Sequence, residues 1–360
     1  MDLRAKIGQL FFVGIGGPIV DEDAERLLRE ISPGGICLFA RNIREPAQTR
    51  ELNERIIEIL PVMPLISIDQ EGGLVDRLRR IITPMPSPEK LKNIEDVALM
   101  GSIIAEVLGL LGFNMNFAPV LDIIDEKRLR FVNGLQSRSF GANAEDVIEK
   151  AGAFLTSLQA GGCIGCIKHF PGLGAAEVDS HEALPEVRIS FDELSEFDLL
   201  PFKRFIETGE ARAVMVAHAD YRNAGFREED KRGRAIPSSL NRGVISGLLR
   251  EKLGFEGVVI TDDLEMGAIV RDFGIGEACK MAIEAGADML AICAGADSIY
   301  AGFEAVLGAV KAGELSESRI DDSFSRIMKL KALIRSAPDF EPNRIEQLSV
   351  EITALKSRLN

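Results

Sequence analysis

The stretch Lys168-His169-Phe170-Pro171-Gly172, running on to Asp179-Ser180-His181, holds two of the three histidines in this 360-residue chain. The apolar run 163–167 before it reads as a strand that delivers Lys168 and His169 to its C-terminal end. A Pro-Gly turn follows, then Asp179 and His181 at a spacing of two. In a locally extended loop, side chains two apart point the same way. A carboxylate beside an imidazole fixes the ring's tautomer and raises its basicity, which suits a group that gives and takes protons near neutral pH. The third histidine, His218, ends a later apolar strand.

Such residues act together only if the fold gathers them. Apolar runs at 9–13, 35–40, 65–68, 115–123, 163–167, 213–216, 257–260 and 288–293 read as strands. Helical periodicity separates them, from Asp21 onward and at 46–60, 94–111, 146–160, 191–208, 241–253, 276–285 and 298–312. Roughly eight strand–helix units is the number expected of a closed parallel barrel. The strands are continuous apolar runs, as parallel strands buried on both faces should be. The reading is a single α/β chain, a (β/α)8 TIM-type barrel over 1–336, with a C-terminal helical tail over 337–360. The irregular stretches 125–137 and 221–239 each follow a strand's C-terminal end, where they are candidates for lids or substrate walls.

In a barrel, polar residues at strand C-termini converge on one mouth. Here they are Asp69, Asp122, Lys168, His169, His218 and Asp262. Adjacent strand residues face opposite ways, so only one of Asp262 and Asp263 is expected to point into the mouth, and parity alone does not choose. Arg77 and Arg138 can fork onto sugar or anionic oxygens, or sit in surface ion pairs. Gly14-Ile15-Gly16-Gly17 misses the spacing of a dinucleotide loop, and no acidic residue follows the second strand. Cys163 and Cys166, three apart on a strand, face opposite sides and do not suit a shared metal or a disulfide. No cluster has metal-ligand spacing, so neither a metal nor a cofactor is expected.

Composition bounds the partners. Hydrophobic residues make up 46% of the chain and the net charge is -14, which argues against nucleic-acid or anionic-membrane partners. Five cysteines without a disulfide-like pattern fit a reducing compartment. The N-terminus has no signal-peptide pattern, and the apolar run 97–113 is interrupted by Glu106 and too short to span a membrane. The expectation is a cytoplasmic protein, monomer or weak homodimer, with a small-molecule partner.

Five blocks, taken in order, define a resemblance. They are Ser67-Ile68-Asp69-Gln70-Glu71-Gly72-Gly73, Asn116-Phe117-Ala118-Pro119-Val120-Leu121-Asp122, Arg138-Ser139-Phe140-Gly141, Lys168 to His181 with Leu184-Pro185, and Leu253-Gly254-Phe255-Glu256-Gly257 running through Thr261-Asp262-Asp263-Leu264-Glu265-Met266. The chain resembles the family 3 glycoside hydrolases, and within them the single-domain bacterial β-N-acetylhexosaminidases. The resemblance implies a retaining mechanism, with Asp262 as nucleophile and His181, paired with Asp179, as acid/base. It implies sugar contacts from Asp69, Arg77, Asp122, Arg138, Lys168, His169, His218 and Met266. It also implies a carbohydrate substrate, in such relatives a cell-wall fragment of GlcNAc linked to anhydro-MurNAc peptide. A neutral imidazole would not repel an anionic acceptor, so phosphate could compete with water. Two departures bear on leaving-group specificity: Leu173 stands where relatives usually carry His, and Leu74 where Arg is common. A β-glucosidase or other exo-glycosidase or phosphorylase, and a non-catalytic sugar-binding barrel, remain open alternatives.

Overall fold

The computed structural model describes residues 1–178 and 184–359. The first strands are β1 (Phe11–Gly14), β2 (Gly35–Leu38) and β3 (Leu65–Ile68). A small antiparallel hairpin, β4 (Gln70–Gly72) and β5 (Val75–Asp76), follows β3. Then come β6 (Met115–Asn116), β7 (Ile164–Phe170), β8 (Ala213–Val216), β9 (Val258–Asp263) and β10 (Met289–Ile292). Apart from the hairpin, these strands close into a parallel barrel in the order β1-β10-β9-β8-β7-β6-β3-β2, a TIM-type fold. Their apolar side chains are buried on both faces, inward into the barrel and outward under the helices. Inside, Phe12 and Phe117 meet edge-on with centroids 5.2 Å apart, a favoured aromatic geometry.

The helices form where apolar periodicity and capping coincide. Helix Glu22–Ile31 buries Leu27, Leu28 and Ile31, and Asp21 caps it by accepting from Ala24 N at 2.8 Å. Asn93 and Asn143 cap helices Ile94–Leu110 and Ala144–Ala160 in the same way.

Several elements differ from the sequence reading. A short helix, Leu3–Gln9, precedes β1 and is capped by Asp2. The strand expected over 115–123 keeps a regular ladder only at Met115–Asn116. Pro119 has no N–H to give a ladder, and the chain continues beside β7 through single bonds, Cys166 N to Ala118 O at 3.1 Å and Leu121 N to Lys168 O at 2.6 Å. Conversely β7 and β9 extend three residues past their expected ends, carrying polar residues into the mouth. The helix beginning at Phe191 widens to i→i+5 bonding over Leu194–Asp198, as does the whole of Gly243–Lys252.

After helix Glu317–Lys331 a last helix, Pro342–Ser357, lies against Ile94–Leu110. Arg344 forks onto Glu106 at 2.5 and 2.8 Å. No helix among the described residues is long and apolar enough to cross a membrane, and all five cysteines are buried and unbridged.

Candidate active site

The C-terminal ends of the strands enclose a cavity of about 270 Å³. Asp69, Arg77, Arg138, Lys168, His169, Asp262 and Met266 all line it. Apart from Asp262 and Asp263 on β9, the charged groups occupy one arc of the barrel, β3-β6-β7 with the hairpin. There Lys168 Nζ donates to Asp69 Oδ1 at 2.7 Å and pairs with Glu71 Oε1 at 2.6 Å. Arg138 forks onto Glu71 at 2.7 and 2.9 Å. Arg77 approaches Asp69 at 3.8 Å, and its Nε has no partner among the described residues.

His169 Nδ1–H donates to Asp122 Oδ2 at 2.6 Å, which leaves Nε2 to accept from Arg138 Nη2 at 3.4 Å. Asp122 is fully buried and does not border the cavity. It instead orients His169 and accepts from Leu173 N at 2.6 Å, fixing the start of the loop after β7. His218 is likewise off the cavity wall, with Nε2–H donating to Asp263 O at 3.0 Å and Nδ1 accepting from Ser239 Oγ at 2.7 Å.

Electrostatics separates the two aspartates that end β9. Burial alone would raise the Asp262 carboxyl, but His218, His169, the Asp263 N–H at 2.8 Å and Lys168 overcome it and hold Asp262 below the ordinary carboxylate range. Burial pushes Asp263 up to about 7, opposed by the Glu265 N–H and reinforced by the charges of Glu265 and Asp262. Both residues border the cavity, which corrects the expectation that only one would reach the mouth. Asp263 also caps the following turn, accepting from Glu265 N at 3.0 Å. Glu71 is buried, which would raise its carboxyl, yet Arg138 and Lys168 draw it well below the carboxylate range.

Glu71 was not singled out in the sequence as a site residue. The available signal was charge balance: two cations, Lys168 and Arg138, were expected at one mouth and needed an internal counter-ion. Asn133 and Leu135 also line the cavity and were missed because they lie in a loop without periodicity; Phe39 lines it too, and as an apolar residue of the run 35–40 it read only as core. Of the two long irregular stretches, 125–137 supplies the wall through Asn133 and Leu135. No residue of 221–239 borders the cavity. Leu173 lines it, whereas Leu74 is 68% exposed on the hairpin turn.

Asp179 and His181 lie outside the described residues, but their flanks are fastened beside the mouth. Asn133 Nδ2 donates to Ala176 O at 2.7 Å and Val132 N to Glu177 O at 3.1 Å. Tyr221 donates to Gly172 O at 2.7 Å. On the far flank, Val187 N donates to Asp220 O at 2.9 Å.

An ionised carboxylate sharing a cavity with a cluster of cations can stabilise or attack a developing positive centre on a sugar. Comparison with known proteins agrees with this chemistry. Residues 2–330 match the glycosyl hydrolase family 3 N terminal domain, so the chain belongs to glycosyl hydrolase family 3. Within that family it stands with the β-hexosaminidases. It is 37% identical to a β-hexosaminidase of Pseudomonas aeruginosa over 287 residues, 78% of this chain and 80% of the relative. It is 29% identical to that of Nitrosomonas eutropha over 96% of this chain and 99% of the relative. The solved family 3 β-N-acetylglucosaminidase from Paenibacillus sp. str. FPU-7 superposes with a TM-score of 0.85 at 36% identity, covering 99% of this chain and 69% of that one.

Proposed function

We propose that this glycoside hydrolase is an exo-acting, retaining β-N-acetylglucosaminidase. The carrying observation is the ionised Asp262 on the wall of a cavity at the small end of ligand sites, about 270 Å³. That volume suits a single sugar ring. Asp262 attacks the anomeric carbon, the glycosidic oxygen leaves with a proton, and a glycosyl-enzyme forms. His181, held by Asp179, gives that proton and then takes one from the incoming water. Asp69, Arg138, Lys168 and His169 hold the sugar hydroxyls, Arg77 on the cavity wall approaches the ring substituents, and Met266 packs on the sugar.

Asp263, with its carboxyl near 7, invites the alternative that it is the acid. It adjoins Asp262 on the same strand, and two groups on one wall do not flank a glycosidic bond. The kinship with β-hexosaminidases supports GlcNAc as the sugar and peptidoglycan-derived muropeptides as the natural source. Unbridged cysteines fit a cytoplasmic setting.

Hydrolysis of a chromogenic GlcNAc β-glycoside tests the reading. Asp262→Ala is expected to lose at least about 10³-fold in kcat, and a 2-fluoro glycosyl adduct is expected on Asp262 by mass spectrometry. Equal rates for the variant, or an adduct elsewhere, would remove Asp262 from the mechanism. Faster turnover of a glucoside, rate gain with phosphate, or saturable GlcNAc binding without turnover would each select an alternative.

A further inference from the structure

The loop that leaves β7 crosses a buried ion pair that stands off the cavity wall. Arg128, in the 125–137 stretch, forks onto Asp198 at 2.6 and 2.8 Å and donates a further hydrogen bond to Ile123 O at 2.9 Å. Its guanidinium also lies 5.0 Å from the centre of the Phe197 ring. Both charged side chains are buried, and neither borders the cavity. Asp198 ends the widened helical segment Leu194–Asp198, a deformation found often at functional sites.

Residues 172–176 press directly against this pair. Gly172 has φ +123°, and a Cβ there would stand 2.6 Å from the Asp198 Cβ. At Gly174 a Cβ would stand 2.3 Å from Ile123 O and 3.0 Å from Arg128 Nη1. Only glycine lets the chain pass so close at both positions. The same residues are held by Asp122, which accepts from Leu173 N, by Tyr221, which donates to Gly172 O, and by Asn133, which donates to Ala176 O. Arg128 and Asn133 belong to one stretch, and that stretch continues beside the loop as Val132 N donates to Glu177 O and Val132 pairs with Val178. The ion pair therefore fixes both the start of the loop and the wall that accompanies it.

A buried ion pair is a poor device for stability alone, because desolvation of both charges offsets their attraction. What it supplies is direction, since a planar guanidinium fork accepts a carboxylate in few arrangements. The chain so directed leads within a few residues to Asp179 and His181.

We propose that Arg128 and Asp198 are positioning residues for leaving-group protonation, setting the path by which the chain brings its acid/base to the glycosidic oxygen while touching no part of the sugar. The step they serve passes the His181 proton to that oxygen as its bond to the anomeric carbon breaks and the bond from Asp262 forms. The proposal rests on the reading of His181 as the acid/base, and the test separates the two.

kcat/KM, which reports the steps up to departure of the aglycone, is measured on full-length protein with the dinitrophenyl and phenyl β-glycosides of GlcNAc. Dinitrophenolate leaves as a stable anion and needs little help from an acid, whereas phenolate needs the proton. Asp198→Asn keeps the shape of the carboxylate. The double variant Arg128→Met with Asp198→Leu replaces the pair by apolar side chains and leaves no charge unpaired. Each is expected to lose about tenfold or more on the phenyl glycoside and less than about threefold on the dinitrophenyl glycoside. His181→Ala is expected to show the same selectivity, while a merely structural role for the pair would lower both rates alike. Circular dichroism identifies the folded variants, and should Asp198→Asn fail to fold, the double variant carries the test. Equal losses on both glycosides, or no loss on either, from a folded pair variant beside a selective His181→Ala would overturn the proposal alone. Failure of both pair variants to fold would make the pair a fastening of the fold and overturn it too. Equal losses from His181→Ala would remove His181 as the acid and take the proposal with it.

Discussion

Glu71 is almost wholly buried on the cavity wall, and its two oxygens position both Lys168 and Arg138. Glu71→Gln keeps the shape and removes the charge, leaving two buried cations under-compensated. A loss of about 3–5 kcal/mol is expected for a broken buried pair, together with a raised KM. Because the folded carboxyl lies below its ordinary 4.5, its contribution is present above that pH and lost as pH falls below it. Urea titrations should therefore show the gap between wild type and variant at pH 7 and a smaller one at pH 4. Asp263 works in the opposite sense. Its carboxyl is raised to about 7 from 3.8, so the fold binds the extra proton and stability falls as pH rises between those values. Asp263→Asn should match the wild type near pH 4 and be more stable at pH 8, by about 1–2 kcal/mol after discounting for partial exposure. Equal melting temperatures at both pH values would refute that. These partnerships explain what the sequence did and did not disclose. Asp69, Lys168, His169 and Asp262 were legible because each directly follows an apolar strand. Glu71 was not, since its partners lie 67 residues away at Arg138 and nearly a hundred away at Lys168.

At the level of elements, the ends of the strands divide function from support. The C-terminal ends carry the site, while Asp288 sits at the N-terminal end of β10 and knots the opposite face. It pairs with Arg250, Arg319 and Arg326, accepts from Ser323 Oγ at 2.8 Å, and accepts from Val259 N at 3.0 Å. One buried carboxylate thus ties β9, β10, Gly243–Lys252 and Glu317–Lys331 together. Asp288→Ala removes the one carboxylate that these three guanidinium groups share, leaving Arg250 and Arg319 with backbone carbonyls alone, and should cost about 3–5 kcal/mol in urea denaturation. The mouth is remote from it, so KM should hold; a raised KM would mean that the two faces are coupled. Element type was legible wherever apolar runs were long: β3 and β8 begin and end where periodicity says. The lapses have local causes. Pro119 interrupts the ladder after β6. The polar tail of β9 reads as loop in a sequence although it remains hydrogen-bonded to β10. The widened turn at Leu194–Asp198 depends on tertiary context, because Asp198 there meets Arg128 of the 125–137 loop at 2.6 and 2.8 Å.

Across the whole molecule, the first and last parts of the barrel sequence are joined at one buried contact. Lys331 Nζ, in helix Glu317–Lys331, donates to Gln9 Oε1 at 2.6 Å, from a position 7% exposed. No carboxylate accompanies it among the described ion pairs, and burial pushes the ammonium down to about 7 from 10.5. The sign follows from proton counting. Between those values the unfolded chain binds the extra proton, so stability rises with pH through that window. Below about 7 the full cost of burying the charge is carried by the fold. Lys331→Met removes the cost and also one hydrogen bond to Gln9, worth about 1 kcal/mol. The net expectation is a gain of about 2–3 kcal/mol at pH 6. That gain should shrink as pH rises toward 10, where the wild-type amine is already neutral in the fold and begins to lose its proton in the unfolded chain as well. Thermal melts of both proteins across that range check the slope. A variant less stable at every pH would show that the Gln9 contact outweighs the buried charge, and that this bridge between the chain's two ends is a fastening in its own right.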